Sequence, residues 1–161
     1  MLPGRVPEAP ARAPDLKAWF LAIGIGLAIA QLLLVRAQHS RAARIASSAL
    51  GSLLTLALGL GGIVLATIWG LTDHWPGARN PHLLQFNPLC LLLVAGWIGS
   101  RRADWQPSAF HRRLALLIAA GGVAGLILSF FGPGAESRQW IALALPVLLA
   151  LALASRMRRN P

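Results

Sequence analysis

The stretch best equipped for chemistry is short. Thr72-Asp73-His74-Trp75 is followed by Arg79-Asn80-Pro81-His82 and then by Asn87-Pro88. An acid, two imidazoles, a guanidinium and two amides fall within about 16 residues, between two long apolar runs. Asp73 beside His74 would orient the imidazole and raise its basicity, as a general base or a lipid head-group site requires. Asp73 and His74 are therefore the candidate catalytic pair. Thr72, Asp73, His74, Arg79, Asn80, His82 and Asn87 together form a candidate lipid- or partner-binding loop. A plainer reading stands beside this one. Adjacent residues on a helix point about 100° apart and need not touch, and Thr72 or Asp73 would also serve as the cap of an interfacial turn.

Other reactive side chains offer less. Cys90 is the one cysteine, it lies in an apolar run, and a thiolate is disfavoured there, so it is expected to be inert. His39 and His111 sit among arginines and read as solvated loop residues, and Asp104-Trp105 reads as an interfacial loop with an aromatic anchor. The sequence has no CxxC, no mixed Cys/His cluster, no glycine-rich phosphate loop and no GxSxG, so neither a metal nor a cofactor is predicted.

Long uncharged segments must position the polar loop. The 161 residues are 56% hydrophobic and 12% charged, with a mean hydropathy of +0.61. A soluble domain is roughly 25% charged, so lipid is the expected solvent. Apolar segments run from about Trp19 to Val35, Ser47 to Leu71, Pro81 to Ser100, Leu114 to Phe131 and Trp140 to Ala154. The predicted fold is all-α, a polytopic integral membrane bundle of about five transmembrane helices. A proline-rich extracytoplasmic tail (1–18) precedes the membrane domain (19–155), and a basic cytoplasmic tail (156–161) follows it. Arg36 stands where cleavage of a signal peptide would be needed, which disfavours one at the first segment.

In the third segment, Asn80-Pro81 and Asn87-Pro88 both look like helix starts. A start at Pro88 leaves too few residues to span, so a helix from Pro81 with a kink at Pro88 is expected. The fifth segment is the shortest and carries Pro146. Small residues at Gly62, Ala66 and Gly70, and at Gly121 and Gly125, would let helices approach closely.

The net charge of +10 does not indicate nucleic acid, because the basic residues sit in clusters between apolar runs instead of along one face. They fit attraction to membrane lipids and the positive-inside rule. One side of the membrane would hold Arg5, Arg12, Lys17, Arg79 and Arg138. The other would hold Arg36, Arg41, Arg44, Arg101, Arg102, Arg112, Arg113, Arg156, Arg158 and Arg159. This bias predicts an outside N-terminus, an inside C-terminus and an outward-facing polar loop.

Thr72-Asp73-His74, Asn80, Leu83-Leu84 and Asn87-Pro88, followed by Gln139 and Pro146, resemble the signature of the C-terminal membrane region of Lnb-type lipoprotein N-acyltransferases. The resemblance covers about residues 18–155. It implies five helices in a bacterial inner membrane. It also implies a thiol-dependent acyl transfer onto a lipoprotein N-terminus that depends on a preceding extracytoplasmic domain. The chain is expected to lack that domain, the proline-rich tail reading as the place where its linker would end, and Cys90 matches no family nucleophile. The expected role is therefore an anchor or lipid-presenting platform, working with a separate periplasmic protein in lipoprotein or envelope maturation. The alternatives are a self-contained outer-leaflet acyltransferase or hydrolase using Asp73 and His74, and a small transporter or channel subunit. The latter fits poorly with charges confined to span ends.

Overall fold

The computed structural model describes residues 15–71, 81–131 and 138–157. Five helices form: α1 (Lys17–Arg36), α2 (Arg41–Leu71), α3 (Leu91–Gly99), α4 (Ala109–Leu128) and α5 (Arg138–Met157). Two 3-10 turns, Pro81–Leu84 and Pro88–Cys90, lead into α3. With His82–Gly99 counted as one segment, five stretches are long and apolar enough to cross a membrane. Among the described residues there is no strand.

The helix starts explain why two spans begin earlier than hydropathy indicates. The Ser40 hydroxyl accepts from the Ala43 N–H at 3.1 Å, and the Ser108 hydroxyl accepts from the His111 N–H at 3.1 Å. These caps supply partners for N–H groups that a helix start would otherwise leave unpaired. Arg41, Arg44, Arg112 and Arg113 therefore lie in the first turns of α2 and α4 and not in loops. At 31 residues, α2 is about 46 Å long and outreaches a hydrocarbon core of about 30 Å.

The helices alternate in direction and define two ends. At one end lie the starts of α1 and α5, the close of α2 and α4, and the 3-10 turns. At the other lie most of the arginines. α5 packs most extensively on α1 and then on α4, while α2 joins α1 to α3. Half of the α5 span is buried, against 22% of the α1 span, so the fifth helix is the core stave. It extends over 20 residues, enough to cross.

Pro146 removes the donor for the Ala142 carbonyl, and α1 meets that gap with Gly24. A Cβ at Gly24 would lie 2.5 Å from the Leu143 carbonyl oxygen and 2.9 Å from that of Ala142. Only a residue without a side chain permits this approach.

Elsewhere the core is Leu93, Trp97, Ile118, Ile141, Ala144, Leu148 and Leu151, all nearly inaccessible. The outward faces carry leucine and isoleucine, for example Leu53, Leu60 and Ile63 on α2, as lipid contact requires. Polar atoms join helices sparingly. Ser48 Oγ donates to the Trp97 carbonyl at 2.7 Å, and Gln31 Nε2 reaches the Ser47 hydroxyl and carbonyl at 3.3 Å.

Candidate functional site

The third span departs from the expected kinked helix. α3 has nine residues and covers only about 14 Å, less than half of the hydrocarbon thickness. The remainder consists of two separate turns, each opened by a proline. In the first, the His82 carbonyl accepts from the N–H groups of Gln85 at 3.0 Å and Phe86 at 2.7 Å. The chain then extends at Asn87, whose side chain accepts from the Leu89 N–H at 3.0 Å and caps the second turn. The reason is local: Asn87 favours an extended cap, and Pro88 disfavours helical geometry in the residue before it.

Glycine on α2 makes room for this irregular backbone. A Cβ at Gly62 would collide with the Phe86 carbonyl oxygen and lie 2.7 Å from Pro88 Cδ. Among the other small residues expected at contacts, a Cβ at Gly121 would come within 3.8 Å of the Leu84 carbonyl oxygen. Gly70 has open space, and Ala66 is half-buried.

Between the two turns sits Gln85, fully buried. Its Nε2 donates to the Gly122 carbonyl of α4 at 3.0 Å. A Cβ at Gly125 would lie 2.5 Å from that nitrogen, so α4 is hollowed to admit the amide. Gln85 Oε1 is buried without a hydrogen-bond partner. An unsatisfied acceptor is costly where no water reaches it, on the order of 1–3 kcal/mol. The sequence signal for this residue was weak but present: a lone amide between Leu84 and Phe86 in an apolar run.

Aromatic rings close the same end. Trp140 at the start of α5 stacks on Phe20 of α1 with centroids 5.0 Å apart and meets Phe86 edge-on at 6.1 Å. The Arg138 guanidinium lies 5.0 Å from the Phe130 centroid and donates to the Ser129 carbonyl at 3.4 Å, joining the end of α4 to the start of α5.

Of the residues singled out in the polar loop, Thr72, Asp73, His74, Arg79 and Asn80 lie outside the described residues. His82 is half-buried in the first 3-10 turn, and Asn87 caps the second. Cys90 is fully buried where the second turn meets α3. Gln139 sits in the first turn of α5 and Pro146 near its middle. His39 is exposed. The expectation that His111 is solvated is overturned, because it is only 5% exposed. Its ring stands edge-on to Trp97 and Trp105, both at 5.9 Å, in space that Gly96 leaves open.

The broken span brings together hydrogen-bonding groups, Gln85, Asn87 and His82, on a backbone that leaves the regular ladder. Five apolar helices, arginines gathered at one end and an interrupted third span at the other define a polytopic helical membrane domain. The family model of the Lnb transmembrane domain matches residues 20–159, and the chain belongs to that family. Neither the curated proteins nor the solved structures give a match. The resemblance carried by Thr72-Asp73-His74 through Pro146 is thus borne out for the family and for its five-helix fold.

Proposed function

We propose that this chain is a membrane-embedded platform that anchors, and presents lipid to, an extracytoplasmic partner in lipoprotein or envelope maturation. It would sit in a bacterial inner membrane, N-terminus outside and C-terminus inside. The broken third span carries this reading. It opens backbone and amide groups at the end where α2 and the polar loop meet, and Gln85 keeps one acceptor unused. A plain anchor has no need of either feature, since an unbroken helix crosses lipid at lower cost. The arginine bias supports the orientation: eight of the ten described Lys and Arg residues lie at the opposite end, with only Lys17 and Arg138 near the break.

A photoreactive benzoylphenylalanine at position 82 in living cells tests the proposal. The expected product is a crosslink to a soluble extracytoplasmic protein, weakened by Asp73→Asn or His74→Ala at equal protein levels. Adducts confined to other copies of this chain would overturn the reading. So would an alkaline phosphatase fusion after Pro161 that proves active outside the cell membrane.

A further inference from the structure

The arginine-rich end holds a cleft of about 490 Å³. It lies between the last turns of α1 and α5, the α1–α2 loop and the α3–α4 loop. Arg36, His39, Arg44, Arg102, Asp104 and Trp105 contribute to its lining. Three guanidinium groups thus face one carboxylate. Among the described residues the one ion pair is Lys17 with Asp15, at the far end of the bundle, so none of the three arginines is neutralised by a salt bridge there.

The arginines differ in role. Arg44 is built into the wall: its Nη1 donates to the carbonyls of Gln38 at 3.0 Å and His39 at 3.3 Å, and its Nε is buried with no partner. Arg36 and Arg102 are exposed, with side chains free to close over an anion. The helix dipole accounts in part for Arg36, which sits in the last turn of α1, where cations are favoured. It does not account for Arg44, in the first turn of a helix, or for Arg102, in a loop.

Guanidinium forks match phosphate geometry and bind it through paired, charge-assisted hydrogen bonds. The volume is in the range of small-molecule sites. The surroundings indicate the source of the phosphate. About one helical turn from the lining residues Arg36 and Met157, Leu33 of α1 and Leu153 of α5 are 56% and 50% exposed and offer apolar surface to acyl chains. Basic pockets between spans are where anionic head groups settle. We infer that this cleft seats the phosphodiester of an anionic phospholipid, with Arg44 behind it and Arg36 and Arg102 at its rim. The site is remote from the broken span and independent of the function proposed for that end.

The test uses the full chain in nanodiscs of phosphatidylcholine with a minority of phosphatidylglycerol, released into a native mass spectrometer. Wild type should retain phosphatidylglycerol in preference to phosphatidylcholine. The double variant R36Q/R102Q should lower that retention by roughly thirtyfold, as the loss of two arginines, each contributing about 1 kcal/mol beside anionic lipid, implies. The pair R101Q/R113Q removes the same charge from the same end outside the cleft and should leave retention unchanged. Equal loss in both pairs would overturn the inference, because general basic attraction would then suffice. Absence of any lipid preference would also overturn it. So would a melting temperature in pure phosphatidylcholine discs that rises with inorganic phosphate while no phosphatidylglycerol is kept, since a free anion would then be the ligand.

Discussion

The two ends of this bundle obtain their polarity in opposite ways. At the arginine-rich end, charges are attached to regular helices and short loops, and the helical ladder stays intact beneath them. At the other end the ladder itself is opened, and polarity comes from backbone carbonyls, the Asn87 cap and the buried Gln85 amide. Charged side chains at a helix end are tolerated because they extend into the head-group layer. An opened backbone has no such escape and must be sheltered by neighbours, here Gly62 on α2 and the hollowed face of α4. The first arrangement sets orientation at little packing cost. The second needs several helices to cooperate, and it is worth maintaining only where polar groups are required inside the boundary.

Breaking the shelter should have the largest effect. Gly62→Ala puts a methyl against the Phe86 carbonyl and Pro88, neither of which is flexible, and should destabilise by about 3 kcal/mol, near the upper end of overpacking costs. Gly70→Ala, with nothing within 4 Å, should be silent. Detergent-resistant melting of the purified variants reads both, and equal behaviour would mean that Gly62 does not shelter the opened backbone. Gln85→Ala should cost about 2 kcal/mol by leaving a void and an unmatched site on α4. Gln85→Leu should cost much less, since it removes the donor and the orphan acceptor together, yet it should abolish the crosslink from position 82. A Gln85→Leu chain that melts as early as Gln85→Ala would make the amide purely structural.

Smaller changes sharpen the comparison. Asn87→Ala removes the cap of the second turn and should cost about 1 kcal/mol, with faster hydrogen exchange at Leu89 and Cys90. Ser48→Ala removes one bond between α2 and the Trp97 carbonyl. It should cost only about 0.6 kcal/mol, the mean for side-chain bonds between membrane helices.

The sequence revealed the five spans because hydrocarbon imposes a length and an absence of charge that any window detects. It revealed the Asn87 cap because Asn-Pro carries its own geometry. The break was harder to read. Length arithmetic favoured one continuous helix from Pro81, while the fold meets the same span with two turns and a short helix, a choice that depends on Gly62 lying opposite. The role of Gln85 is not legible in the sequence because its partner is a backbone carbonyl 37 positions away, which no spacing rule can flag. The burial of His111 is hidden for a related reason: Arg112 and Arg113 suggest a loop, but the vacancy at Gly96 and the two indoles that receive the ring come from other segments.

The contact between Gly24 and the carbonyls of Ala142 and Leu143 has a consequence for biogenesis. As spans emerge in order, the first must wait in the bilayer, its glycine notch unfilled, until the fifth has been threaded. The fifth in turn arrives with a proline-exposed carbonyl that only the first can cover. The bundle is therefore locked by its last arrival, and insertion stalled after four spans should leave an open assembly that membrane proteases recognise.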